Sequence, residues 1–539
     1  MVRKLLYLSA QFFLTCNLFA QTEPFGIYLE PLNIPNVGGI QSYAFGQDNG
    51  KWLIIGGRLD GLHRRQPFAA FDAAGHNIQM IVIDPVSEQK WSAPLTSLPI
   101  SIQEQLSSTN MEFHQEGNYL YIIGGYGYSN SELDHITYPN LSAVHVPNVI
   151  NSIINGTSFT SEIRQITDTM FAVTGGVLNK INNTYQLTGG QKFIGRYNPM
   201  GPNQGPGFIQ IYTNANRRFE LNDDGTNITI NHLSAMVDAV NLHRRDYNVV
   251  PQIMPNGNEG ITAFSGVFQV SADLPFLNCV NIDSTSYTVN NAFSQYYNHY
   301  HCAHIPLYSE VNNEMHTLFF GGIAQYYDNA GTLVQDNNVP FVKTIARVTR
   351  DVNGIMAEYK LPIEMPDLLG ASSEFIPVEN ISQYNNGVLK MDDFTADTTL
   401  LGYIYGGISS TAANIFFINT GVESSASSEI FKVYFINNTT MGTPDLNDQS
   451  TGTLKMNIYP NPNNGEFMIT FNLTQLTETK ITIFNSNGRK IEEKKLTDLI
   501  IGENSYQRRI KKLDHGGIYF VTIETSYEKA TQKVIIESE

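Results

Sequence analysis

The sequence predicts an all-β protein built in two parts, and three observations carry that prediction. Short apolar runs ending in Gly-Gly recur along residues 25–437. Residues 438–453, NTTMGTPDLNDQSTGT, are almost without apolar side chains and read as a linker. Residues 454–539 then alternate apolar and polar positions, the period of a strand with one buried face. At 42% hydrophobic and 15% charged, the chain has material for a large core and too little charge for a disordered polymer.

The chain opens on a secretory signal. Arg3 and Lys4 form its charged start, Leu5 to Phe19 its apolar stretch, and Ala20 a small residue before Gln21, so residues 1–20 are predicted to be removed. Gln11 and Asn17 interrupt this stretch, which is short for a membrane anchor. No later segment approaches the roughly 20 apolar residues of a transmembrane span. The formal net charge of −17 is uneven: residues 451–539 carry 12 basic and 11 acidic side chains, and with Arg3 and Lys4 set aside residues 5–450 carry −20. A field of that sign repels phosphate backbones and excludes nucleic acid as a partner, whereas a cation or a neutral glycan fits.

The recurring phrase is KWLIIGG at 51–57, YLYIIGG at 119–125, MFAVTGG at 170–176, TLFFGG at 317–322 and LGYIYGG at 401–407, with a weaker ITAFSGVF at 261–268. Each run is too short for a helix and suits a strand buried on both faces. The glycines admit positive φ and close approach of a neighbouring backbone. Counting Ser265-Gly266 as the weak copy, successive doublets lie 68, 51, 90, 56 and 85 residues apart. That spacing predicts one repeated unit carrying long loop insertions. After the first copy, MIVIDPVSEQKW runs apolar to Ile83, turns at Asp84-Pro85 and returns to Trp91.

A strand ending in Gly-Gly, then a hydrophobic-Asp-Pro turn and a Trp, resembles the kelch repeat. The resemblance covers residues 25–437, with the full pattern in the first unit only. It implies a kelch-like β-propeller of six or seven four-stranded blades around an axis. An array of β-sandwiches is the other architecture these strands allow.

In the tail, TKITIF at 479–484, GIYFVTIE at 517–524 and QKVIIE at 532–537 alternate, and NSNG at 485–488 is a hairpin turn. An immunoglobulin-like β-sandwich over residues 454–539 is therefore predicted. YPNPNNGEF near its start, IFNSNGRKI in its middle, and GGIYFVTI followed by KVIIE resemble the type IX secretion sorting domain of Bacteroidetes. That resemblance implies the type IX secretion machinery as a partner, passage through the periplasm, and delivery to the outer-membrane surface or the extracellular space. Tyr459, Pro460, Asn461, Pro462 and Gly465 carry the opening motif. Its prolines and asparagines read as a rigid turn outside the strand ladder.

Two stretches hold candidate chemistry. In YYNHYHCAHIP, residues 296–306, His299, His301 and His304 are ligand-binding or metal-ligating candidates, or hydrogen-bonding residues beside the axis. On a strand 299 and 301 face one side and 304 the other, so a shared ion needs a bend. The phrase LHRR occurs twice, placing Arg64 and Arg65 after His63, and Arg244 and Arg245 after His243. Guanidinium forks from two blades suit an acidic sugar, or salt bridges between blades. Cys279 and Cys302 are the cysteines left after signal removal, either bridged or buried as thiols.

LNDDGTNI at 221–228 reads as a hairpin turn with some likeness to a calcium loop. Phosphate loops, His-Glu-x-x-His, Cys-x-x-Cys and nucleophile-elbow motifs are missing, so the catalytic residues, metal and cofactors stay unknown. Three readings follow: a secreted or cell-surface protein binding an extracellular glycan or protein, a carbohydrate-active enzyme with its site at the axis, and a structural surface protein.

Overall fold

A computed structural model describes residues 23–437 and 454–536, apart from 67, 202–204, 206, 330, 462, 486–489, 498, 510–516 and 526–528. The predicted signal sequence and linker, Pro462 and residues 486–488 of the predicted hairpin turn lie outside the described residues. The chain divides into two compact units, Met1–Thr440 and Met441–Glu539.

Among the described residues, the first unit carries six four-stranded antiparallel meanders. The first joins Ala44–Asp48, Lys51–Ile55, Gln79–Asp84 and Gln89–Pro94, and the second Glu112–Glu116, Tyr119–Ile123, Asn140–His145 and Ile163–Thr167. The third is Thr174–Ile181, Thr184–Ile194, Ala215–Asp223 and Ile228–Val237; the fourth is Asn248–Ile253, Glu259–Phe264, Cys279–Ile282 and Tyr287–Asn290. The fifth is His304–Ser309, Glu314–Phe320, Thr344–Arg350 and Met356–Glu364. The sixth takes Ser373–Pro377, Thr398–Gly406 and Ile430–Ile436 from the end of the unit and its outer strand, Gly26–Leu32, from the beginning. The turn after Ile83 forms as the sequence suggests, with Asp84 Oδ1 accepting from the N–H groups of Val86 and Ser87 at 3.0 Å each. Residues 224–227 are likewise the turn of a hairpin in the third sheet.

The second strand of each meander explains the unbroken apolar runs. In Lys51–Ile55, Leu53 and Ile55 enter a cluster with Leu120 and Ile122 of the second sheet, while Trp52 and Ile54 enter another with Tyr403 and Tyr405 of the sixth. Both faces are buried, so alternation is invisible in the sequence. The same division recurs: Tyr121 and Ile123 pack against Leu187 of the third sheet, and Phe319 against Phe264 of the fourth. Each sheet thus shares a core with the next, and the sixth shares one with the first.

Backbone hydrogen bonds repeat the pattern at one end of the sheets. The N–H of Ser42 donates to Ser372 C=O (3.0 Å), Asn110 to Ser42 (3.2 Å) and Gly175 to Asn110 (3.3 Å). Asp246 then donates to Gly175 (2.9 Å), His301 to Asp246 (3.4 Å) and Ser372 to His301 (2.6 Å), which returns the circuit to its start. Five of these six residues hold left-handed φ of 49° to 68°. Four of the five carry side chains, and for them that conformation is strained.

Gly-Gly stands at the end of the second strand in four sheets, lies inside Thr184–Ile194 in the third, and is replaced by Ser265-Gly266 in the fourth. Gly57, Gly125, Gly190, Gly322 and Gly407 each donate their N–H to a carbonyl of the following sheet's approach, at 2.8–2.9 Å, with Ile40 of the first sheet serving Gly407. A side chain on the glycine before each would collide with that approach: at Gly406 (φ 74°) a Cβ would sit 2.3 Å from the Ile40 oxygen. One expected copy is wrong. Gly175-Gly176 of MFAVTGG lie at the start of the third meander, in its first strand, and the doublet at the repeated position is Gly189-Gly190. With it the spacings become 68, 65, 76, 56 and 85 residues.

The second unit is a two-layer sandwich. Asn457–Tyr459, Glu466–Leu473 and Gly502–Arg509 form one sheet, and Lys490–Leu496, Thr479–Asn485, Gly517–Glu524 and Lys529–Ile536 the other. Phe467, Ile469, Phe471 and Leu473 alternate inward to meet Ile481, Ile483, Val521 and Val534 across the core. The charged edge strand KIEEKKL guards an open sheet edge against pairing with another chain.

Candidate functional site

The connections that leave the five Gly-Gly doublets and Ser265-Gly266 are long, and all six reach the same cavity of about 650 Å³. Each lends an aromatic ring to its wall: Phe71, Tyr126, Tyr197, Phe268, Phe341 and Phe416. Members of the backbone circuit line it as well, among them Ser42, Asn110, Asp246, His301 and Ser372. The volume lies within the ~300–1,000 Å³ of small-molecule sites, and an apolar wall with a few polar groups is their usual chemistry.

His63 sits among the rings, packing on Tyr197 (5.3 Å between centroids), Phe416 (5.6 Å) and Phe71 (5.7 Å). Burial and then the neighbouring Arg245 charge lower its pKa to about 4, so it is neutral at physiological pH. Its Nδ1 has no hydrogen-bond partner among the described residues. Arg58, 2% exposed, directs Nε and Nη2 to the two Asp60 oxygens at 2.6 Å each, and its Nη1 has no partner among the described residues. Arg245 pairs with Asp246 and donates from Nε to Tyr212 Oη at 3.0 Å. Tyr300 Oη is likewise buried without a partner among the described residues.

On another part of the wall, His301 Nε2 meets Glu374 Oε1 at 2.9 Å. Burial disfavours the imidazolium, but the hydrogen bond and charge of Glu374 outweigh it and raise the pKa above its ordinary value. A carboxylate-oriented imidazole in a cavity is equipped to hold or move a proton.

The sequence candidates separate in this frame. His301 lines the cavity, whereas His299 is fully buried with Nδ1 against Gly321 C=O at 2.7 Å, and His304 Nδ1 faces Cys302 C=O at 3.0 Å. Burial lowers the pKa of both, to about 4 for His299. The strand alternation expected over 299–304 does not occur. Asn298 and His299 take left-handed φ, and the strand begins at His304. No three metal-ligating side chains come together among the described residues.

The two LHRR phrases occupy unlike positions. Arg65 and Arg245 line the cavity; Arg64 does not, and its guanidinium lies beside Gly421. Arg244, 0% exposed, directs its donors to Asn241, Ser265 and Asn278, and burial lowers its pKa to about 10. Among the described residues the phrases make one ion pair, Arg245 with Asp246, inside a single loop rather than between sheets. Cys279 and Cys302 are buried free thiols in one apolar cluster.

Sequence reasoning misses Arg58, Tyr300 and Glu374, and His63 sits within a phrase whose arginines alone read as ligand groups. One signal was available: Arg58 directly follows the doublet that ends a fully buried strand, where the chain must enter the cavity end of the sheet.

In the tail, the opening motif is a clip. Asn461 Nδ2 donates to Lys533 C=O and its Oδ1 accepts from Ile535 N–H, both at 2.7 Å. Asn463 N–H donates to Ile535 C=O at 2.9 Å, and Gly465 N–H to Asn463 Oδ1 at 2.7 Å. Asparagine amides thus stand in for a ladder on the last strand, so the motif is joined to the sheet rather than lying apart from it. Tyr459 is exposed and Pro460 lends its carbonyl to Asn463 Nδ2.

Comparison with known proteins bears on this tail. No curated protein matches the chain. Among the described residues, no helix is long and apolar enough to cross a membrane. Residues 457–537 match the family described as the secretion system C-terminal sorting domain. The tail is a type IX secretion sorting domain, which implies recognition by that machinery and export to the cell surface or extracellular space.

Proposed function

We propose that residues 25–437 form a six-bladed, kelch-like propeller that binds an extracellular glycan in its axial cavity. Two features support the propeller: cores shared from sheet to sheet and back to the first, and the circuit of six backbone hydrogen bonds. The observation that carries the binding reading is the wall of six aromatic rings, one from each connection, around polar groups without partners among the described residues. Sugar rings present apolar C–H faces to aromatics and hydroxyls to such groups, and a concave site of this size encloses a short saccharide better than a flat protein surface. The test is a glycan panel probed with the full chain by calorimetry. Binding that disappears in Phe416→Ala supports the reading; a protein that binds no member of the panel is a structural surface protein instead.

A second reading, a carbohydrate-active enzyme, is favoured by one contact, the His301–Glu374 pair on the cavity wall. In that reading His301 transfers a proton at a sugar oxygen while Glu374 positions it. Turnover of a bound glycan that His301→Ala abolishes, with binding retained, supports the enzyme; binding without turnover rejects it.

A further inference from the structure

We propose that the cavity is specific for a saccharide carrying a single carboxylate, received where Arg58, Arg65 and Arg245 converge around His63. This rests on the glycan-binding reading and names the class of glycan.

The convergence is read from packing. Arg58 lies over the Phe71 ring (5.4 Å to its centroid) and Arg65 over Phe416 (5.5 Å), and both rings pack against His63. Arg245 is the strongest charged influence on His63, and its charge also acts on Tyr197, the third ring against that imidazole.

Two of these three guanidinium groups already have a carboxylate partner. Asp60 forks Arg58 and Asp246 pairs with Arg245. Arg65 makes no ion pair among the described residues: one N–H reaches Pro199 C=O at 3.0 Å and the guanidinium otherwise lies on Phe416 and Phe417. Arg65 is therefore the one guanidinium of the three left for a ligand, and Asp273, on the connection that carries Phe268, is the other unpaired charge on the cavity wall among the described residues. A carboxylate offers two coplanar oxygens that match its fork.

The unspent hydrogen-bonding capacity points the same way. Arg58 Nη1 donates only, Tyr300 Oη donates or accepts, and the neutral His63 leaves one nitrogen free. Buried polar atoms without partners are few in folded proteins, and each costs about 1–3 kcal/mol when left unpaired. A ligand rich in acceptor oxygens would satisfy them. The net −20 on residues 5–450 limits the class further, because a diffuse negative field repels a polyanion far more than it repels one charge.

The probes are glucuronate and galacturonate, their neutral counterparts glucose and galactose, and a sulfated polysaccharide, each titrated calorimetrically into the full chain. Each uronate is expected to bind about tenfold or more tighter than its neutral counterpart, with the preference shrinking as salt is raised. Arg65→Gln is expected to erase the preference and leave the thermal midpoint unchanged, with Arg65→Lys retaining part of it. Equal binding of acid and neutral sugars, or tighter binding of the sulfated chain, overturns the carboxylate class while glycan binding stands. If no saccharide binds, the glycan reading itself falls. An acid preference that survives Arg65→Gln in a folded protein overturns the assignment of Arg65.

Discussion

The two units are both all-β, yet they solve burial in opposite ways. In residues 25–437 the second strands are covered on both faces by neighbouring sheets, and glycine doublets let backbones approach where those strands end. In the tail each strand shows one face to the core and one to solvent, and asparagine side chains fasten its first segment to its last strand. The charge differs too, −20 on residues 5–450 against +1 on 451–539. The lesson is that the first unit is sensitive to any added atom at its glycines, and the second to any apolar atom removed from its single core.

The strongest way to break this comparison is Gly406→Val. Its Cβ would meet the Ile40 carbonyl oxygen at 2.3 Å, on a backbone of φ 74° that a branched side chain avoids. A loss of about 4 kcal/mol or more is expected, seen in chemical denaturation as collapse of the first transition with the tail's transition in place. The converse, Ile469→Ala, removes a fully buried side chain from the sandwich and is expected to cost about 2–5 kcal/mol in the tail's transition alone. Secretion assays on the same variant should show reduced export. If both variants lowered both transitions, the units would not be separate in stability.

Acid sharpens the contrast. Unfolded imidazoles take a proton near pH 6.5, but in the folded unit burial holds His63, His76, His114 and His299 at about 4 and His316 at about 3. The unfolded state binds more protons in that window, so stability present above pH 6.5 is lost as the pH falls through it. A fully buried group such as His299 accounts for about 3 kcal/mol of that loss. Glu112 and Glu358, raised by burial to about 8, act in the opposite sense, but two carboxyls are outnumbered by five imidazoles. The described residues of the tail hold no histidine. Melting at pH 7 and pH 5 is expected to lower the first transition more than the second.

The smallest effect belongs to Asn461→Ala, which removes two hydrogen bonds on an exposed side chain. About 1 kcal/mol is expected in the tail's transition, with none in the first.

Much of this was legible because it is local. Runs such as WLII and LYII announce strands buried on both faces, and the tail's alternation announces a half-buried sheet. The third repeat is misread for a physical reason. In YQLTGG, Gln186 and Thr188 are buried but polar, satisfied by Asn216, so the true strand lacks the apolar signal that MFAVTGG happens to carry. The cavity is the least legible part. Its groups come from loops far apart in sequence, and only the fold shows that Arg65 and Arg245 share a site while Arg64 and Arg244 do not.

The outer strand of the sixth sheet has a consequence for assembly. Gly26 faces Ile436 and Leu32 faces Ile430, so the earliest strand to be synthesised waits for the last one before the tail. Until then Phe431, Val433 and Phe435 belong to an unfinished edge, open to any passing chain. A protease that clipped residues 26–32 from the finished protein would reopen that seam, exposing a sticky ribbon about 400 residues downstream of the cut.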